Sequence, residues 1–181
     1  VSQEFKQPGS RLVLVSIDKD ELGLPDLQQA GRAYAAIASL AQKGGILAAS
    51  ALKSGGLAES VSKMAFGNRI GARLKEMPFD KLFMLDYGSI LLEIPDWVDT
   101  EEAFGELKYE VIGETIPESA ILFNGKELSL DKMLETWEET LGPIFPTRAE
   151  EKANSIPAYA FRGKARVRPK TSIARPRVLI P

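Results

Sequence analysis

The sequence predicts an α+β fold in which helices pack on a mixed β-sheet. Three observations carry that expectation. The chain opens with a strand, an amphipathic helix and a second strand, the alternation of a β-α-β unit. Helical and strand-like periods then intermingle along the chain without an internal repeat. Late in the sequence, Asn124-Gly125 lies between two short apolar runs, a strong hairpin signal that breaks any purely parallel pattern.

Leu12 to Ile17 is apolar and β-branched, as a strand should be. Pro25-Asp26 opens a helix with Asp26 as N-cap, and Leu27, Ala30, Tyr34, Ile37 and Ala41 recur at helical spacing until Gly44-Gly45. Ile46 to Leu52 is the second strand. Ser54-Gly55-Gly56 turns the chain into a second helix, with Ser54 as its cap and Leu57, Val61, Met64 and Ala65 on one face, ending at Gly67-Asn68. Ile70, Ala72 and Leu74 alternate as in a half-buried strand, and Pro78 to Leu85 reads as a short helix. Ser89 to Ile94 is a further strand, Thr100 caps a short helix through Leu107, and Tyr109, Val111 and Gly113 alternate again. Ala120 to Phe123 and Glu127 to Leu130 are the hairpin arms. Asp131 caps a last helix with Met133, Leu134, Trp137 and Leu141 inward, stopped by Gly142-Pro143.

A chain of 181 residues, 44% hydrophobic and 27% charged, has the composition of a globular domain with its own core. No apolar run approaches the roughly 18 residues that a membrane helix needs. The chain contains no Cys and no His. This excludes disulfides, thiolate nucleophiles, imidazole bases and the usual zinc sites, leaving carboxylate, Lys, Tyr and Ser chemistry or oxygen-ligated Mg²⁺. The lack of Cys fits a cytoplasmic protein.

The net charge of −2 conceals an asymmetry: the seven basic residues after Ala153 face no acid, while all 25 acidic side chains precede it. With its prolines, this shift divides the chain into a domain over 1–147 and a basic linker over 148–181. A nucleic-acid arm is the alternative, since phosphate contacts need Lys and Arg. The prolines lie among apolar Ile156, Phe161, Val167 and Ile173, however, which suits a linker lying on an acidic surface. Arg177-Val178-Leu179-Ile180 reads as the beginning of a buried strand.

Lys53-Ser54-Gly55-Gly56 is the segment where chemistry could sit. Two glycines at a helix N-terminus let free N–H groups approach an anion, Lys53 adds a positive charge and Ser54 a hydroxyl. The same residues also make a plain tight turn, and the spacing is not that of a Walker loop. Glu59, on the polar side of the second helix, could point at whatever this turn faces. The pairs Glu101-Glu102, Glu138-Glu139 and Glu150-Glu151 read as solvated helix faces, because adjacent helical residues do not face one another. Trp97 and Trp137 read as core.

Ser54 to Gly71, Ser-Gly-Gly-Leu-Ala-Glu-Ser-Val-Ser-Lys-Met-Ala-Phe-Gly-Asn-Arg-Ile-Gly, resembles the Ser-Asp-Gly-Gly-Leu…Met-Ala-Phe segment of the phosphoribosylformylglycinamidine synthase family. Within it, the chain is similar to the C-terminal domain of the second aminoimidazole-ribonucleotide-synthase-like unit. Ser10 to Val15 looks like that domain's opening strand, and Ala174 to Pro181 like the link into a glutaminase domain. The resemblance implies an aminoimidazole-ribonucleotide-synthase C-terminal-domain-like fold. It also implies a place in the ATP-dependent, Mg²⁺-assisted conversion of formylglycinamide ribonucleotide to its amidine, with ammonia from glutamine. The partners implied are neighbouring domains of the same polypeptide, including a glutaminase after Pro181, or a second copy of the chain on a surface left uncovered.

Where the family reads His-Asp-x-Ser-Asp before the glycines, this chain reads Ser50-Ala51-Leu52-Lys53-Ser54. Neutral and cationic residues cannot replace carboxylates as ligands of a hard cation. The resemblance therefore implies a degenerate nucleotide or phosphate site at Lys53, Ser54, Gly55 and Gly56, with no catalytic residue and no metal ligand. An unrelated anion-binding domain is the remaining alternative.

Overall fold

Two segments are buried on both faces, Arg11–Val15 (β1) and Ile90–Ile94 (β4, numbered by chain order), and such strands can only sit inside a sheet covered on both sides. The computed structural model describes residues 1–146 and places them there. The linker over 148–181, its boundary at 147, the strand at Arg177–Ile180 and Glu150-Glu151 lie outside the described residues. The other strands are Ala48–Ala51 (β2), Gly71–Leu74 (β3), Tyr109–Ile116 (β5), Ala120–Phe123 (β6) and Lys126–Ser129 (β7). The helices are Leu27–Gln42 (α1), Gly56–Asn68 (α2), Thr100–Phe104 (α3) and Leu130–Glu139 (α4), with a 3-10 turn at Phe79–Leu82.

The seven strands form one mixed sheet in the order β2-β4-β1-β5-β3-β6-β7. All neighbours are antiparallel except β3 and β6, which run parallel. The expected α+β class with a mixed sheet is thus the observed one. The opening β-α-β unit is split, because β4 inserts between the parallel β1 and β2. The short, small-residue β2 and the polar β7 take the edges.

Alternation along β1 and β4 sends Leu12, Leu14 and Leu91 to one face, against Leu57, Val61, Met64 and Leu130 of α2 and α4. It sends Val13, Val15, Leu92 and Ile94 to the other, against Ala30 and Ala33 of α1 and Phe104 of α3. A bulge interrupts β5: Leu12 pairs with Gly113 but Val13 with Val111, so Ile112 is the extra residue. The simple Tyr109–Val111–Gly113 alternation therefore fails. Ile112 is fully buried on the α2 face, and Gly113 faces β3, where a Cβ would come within 2.2 Å of the Arg73 carbonyl oxygen.

Asp26 caps α1 as expected, accepting from the Gln28 and Gln29 N–H groups, but the helix buries Ala30 and Ala33 while Leu27 and Tyr34 are exposed. α3 is capped by Asp99, which accepts from Glu101 and Glu102, and not by Thr100. The N-cap of α4 is Ser129; Asp131 instead pairs with Arg69 at 2.7 Å. Trp97, Trp137 and Leu141 are exposed rather than core. Trp97 lies in the turn before α3, and Trp137 leans on Phe66 of α2 with ring centroids 5.9 Å apart. Asn124 and Gly125 both have positive φ, as a two-residue hairpin turn requires.

The segment before β1 is held by one buried carboxylate. Glu93, in β4, is fully buried and accepts the backbone N–H groups of Lys6 at 2.8 Å and Gln7 at 3.2 Å. Thr115 completes the clasp by accepting from the Ser10 N–H at 2.9 Å. Phe5, fully buried, donates its N–H to the Met64 carbonyl. Burial pushes the Glu93 carboxyl above its ordinary value despite these donors.

Glu93→Ala removes the acceptor of the Lys6 and Gln7 N–H groups and a fully buried side chain, and is expected to cost about 2 kcal/mol, measured by urea unfolding. Because the folded pKa is raised, the native state holds a proton that the unfolded chain has released, so this group's contribution to stability falls as pH rises above 4.5. The difference in stability between the parent and Glu93→Gln should change in that direction as pH rises from 4.5. A pH-independent difference would show that Glu93 does not titrate there.

Candidate functional site

The strands β1, β2, β3 and β6 run in the same direction and end on one side of the sheet, where the loops around residues 16–26, 52–56, 75–89 and 124–125 gather. The Gly-Gly turn belongs to this end. β2 is followed by buried Leu52, whose N–H donates to the Ser89 carbonyl, and then by exposed Lys53 and Ser54. The Gly56 N–H donates to the Lys53 carbonyl at 3.0 Å, closing the turn, and α2 begins.

Each glycine has a specific structural cause. Gly56 has φ +63° and is buried; a Cβ there would lie 2.7 Å from the Met84 carbonyl oxygen and 2.8 Å from that of Leu82. It lets the start of α2 seat directly on the backbone of residues 82–84. Gly55 is the N-cap of α2, so the cap is not Ser54. A Cβ on Gly55 would meet the Glu59 side chain, at 2.5 Å from its Cβ and 2.6 Å from Oε2.

Glu59 approaches so closely because its carboxylate folds back over the helix start. Oε2 accepts the Gly55 N–H at 2.9 Å, and Oε1 takes the Lys63 ammonium at 2.6 Å. The Lys63 hydrogen bond, followed by the Gly55 N–H, holds the Glu59 carboxyl below its ordinary value. The negative charge sits where the helix dipole favours an anion. The structure therefore brings Gly55 and Gly56 together with Glu59, while Lys53 and Ser54 face solvent. The spacing Gly55-Glu59-Lys63, four residues each time, is the signal in the sequence: it sets a cap, a carboxylate and an ammonium along one helix face.

The donor set does not suit a phosphate with Mg²⁺. A phosphate at this turn would meet the Glu59 charge, and the first N–H of the cradle is already engaged. Among the described residues, no group of three or more acidic side chains stands where it could hold a metal ion. No reaction step is derived through either group.

Beside the turn lies a largely apolar cavity of about 890 Å³, lined by Gly55, Glu59, Phe79, Phe83, Phe123 and Asn124 among others. Asn124 ties its rim to the 75–89 loop, donating to the Met77 carbonyl at 2.9 Å. A second hollow of about 700 Å³ follows α2 past Lys63 to Phe66 and Trp137.

No family model and no curated protein matches the chain. Solved structures do. PurL of T. maritima in complex with AMPPCP is 15% identical over 72% of this chain and 26% of its own, with a TM-score of 0.59. Phosphoribosylformylglycinamidine synthase II from Thermotoga maritima is 15% identical over 88% of this chain and 30% of its own, TM-score 0.57. The hydrogenase maturation protein HypE is 14% identical over 68% of this chain and 53% of its own, TM-score 0.50. At these identities the likeness establishes the fold. The chain spans only about a quarter to a third of the two synthase chains.

Gly56→Ala combines a left-handed φ with a clash against two carbonyls and is expected to destabilise by about 3 kcal/mol in urea unfolding. Glu59→Ala removes the folded-back cap and the ion pair with Lys63 and is expected to cost about 1 kcal/mol. A smaller loss for Gly56→Ala than for Glu59→Ala would contradict this account of the turn.

Proposed function

We propose that this chain is a non-catalytic domain of a phosphoribosylformylglycinamidine synthase, the enzyme that makes formylglycinamidine ribonucleotide from formylglycinamide ribonucleotide, ATP and glutamine in purine biosynthesis. The observation that carries the reading is the Gly-Gly turn. It stands at the start of a helix on the fold that this chain shares with PurL, yet its own carboxylate, Glu59, occupies the place of an anion. The Ser54–Gly71 resemblance supports the same family, and the loss of acidic residues before the glycines supports a degenerate nucleotide site within it.

On this reading, ATP and Mg²⁺ serve the full enzyme at another site. Lys53, Ser54, Gly55 and Gly56 are the remains of a phosphate-binding turn, kept for the packing of Gly56 on residues 82–84. The partners are neighbouring domains of the same cytoplasmic polypeptide, with a glutaminase following Pro181. The role left to this domain is structural.

Isolated, the chain is expected to turn over neither ATP nor glutamine, and calorimetry with ATP and Mg²⁺ should show no binding heat that Lys53→Ala abolishes. The coding sequence downstream of Pro181 is expected to encode a glutaminase. ATP turnover at an enzymatic rate by the isolated chain would overturn the reading. Salt-sensitive binding to a nucleic acid would instead favour a role for the basic segment after Ala153.

A further inference from the structure

We infer that the cavity between α2 and the β6–β7 hairpin binds a small organic anion with an apolar body, the class of a medium-chain carboxylate. Its volume of about 890 Å³ falls within the range of about 300–1,000 Å³ that small-molecule sites occupy.

The space opens because of what each wall presents. Gly55, Ala58 and Ser62 of the α2 start recur three and four residues apart on one helix face, and all are small. On the sheet side the register sets Ile121 opposite Leu128 and Phe123 opposite Lys126. Cross-strand partners share a face, and all four of these side chains line the cavity. Phe79 and Phe83 also line it; both are more than half exposed, which puts them at its mouth, with ring centroids 5.1 Å apart.

The charge left open in the wall sets the head group. Glu59 and Lys126 are the charged residues of the lining. Glu59 is balanced within the chain, by Lys63 at 2.6 Å and the Gly55 N–H at 2.9 Å, so an amine finds no free carboxylate. The Ser62 hydroxyl donates to the Ala58 carbonyl at 2.7 Å, and the Asn124 amide to the Met77 carbonyl at 2.9 Å. The Lys126 ammonium has neither an ion pair nor a hydrogen bond among the described residues. It follows directly on the Asn124-Gly125 turn, which the Asn124 bond to Met77 holds in place. An anionic head gains a charge-assisted bond there, and its apolar body gains the cavity walls.

Calorimetric titration of the 181-residue chain with octanoate, octanol and octylamine at pH about 7 tests this. Octanoate is expected to bind once per chain with a Kd of about 0.1 mM, at least about tenfold more tightly than the other two. Lys126→Glu should weaken octanoate binding by about tenfold. Lys43→Glu, the same change of charge at the end of α1 on the other face of the sheet, should leave it unchanged. Ser62→Phe, with its fold checked by urea unfolding, should abolish binding by filling the cavity. Equal affinity for the three head groups would mark the cavity as an apolar contact for a neighbouring domain and overturn the inference. Octanoate binding that withstands Lys126→Glu, or no binding below about 1 mM, would overturn it as well.

Discussion

The architecture depends on one requirement: β1 and β4 must be covered on both faces. Leu12, Val13, Leu91, Leu92 and Ile94 are all fully buried, and each such side chain loses about 1.5–3 kcal/mol if returned to water. Pairing the two strands side by side inside the sheet draws α1 and α3 to one face and α2 and α4 to the other. It also splits the opening β-α-β unit, since β4 must lie inside β2. The loops that follow β1, β2 and β3 then share one end of the molecule. The Gly-Gly turn would not find its floor in residues 82–84 without that arrangement.

At that end the chemistry is dominated by a substitution of one anion for another. A helix start with two glycines, an inward cavity and a lysine nearby has the components of a phosphate site. Glu59 supplies the negative charge from within the chain, with Lys63 balancing it on the next turn. A carboxylate fixed four residues away needs no ligand and costs little ordering entropy. The glycines that a phosphate would require are kept here for packing: Gly56 because two carbonyls leave no room for a Cβ, Gly55 because Glu59 lies over it. Short glycine motifs are ambiguous for this reason, as the same backbone freedom serves an anion or a close neighbour.

Much of the secondary structure was legible because it depends on neighbours in sequence. The Asp26 cap, the Leu57-Val61-Met64-Ala65 face and the Asn124-Gly125 turn are local patterns, and each formed as expected. The errors arose where tertiary contact decides. Asp131 has the chemistry of a cap but pairs with Arg69, 62 residues away. Trp137 lies at a plausible core position of its helix yet rests on Phe66 at the surface, with the Lys63 ammonium 5.8 Å from its ring. The β5 bulge left no mark in the periodicity, since one extra residue is enforced only by the register with β1.

By itself, then, the sequence determined which segments are helices and strands, that helices pack on a mixed sheet, and that the Gly-Gly turn lacks the acids a metal would need. Periodicity, caps and residue chemistry act within a few positions and can be read directly. Only the tertiary structure decided the strand order, the burial of Glu93 against Lys6 and Gln7, and the closure of the turn by Glu59 over a floor of residues 82–84. Those outcomes depend on distances between residues far apart in the chain, which the competition for buried positions in the sheet sets and no local pattern encodes.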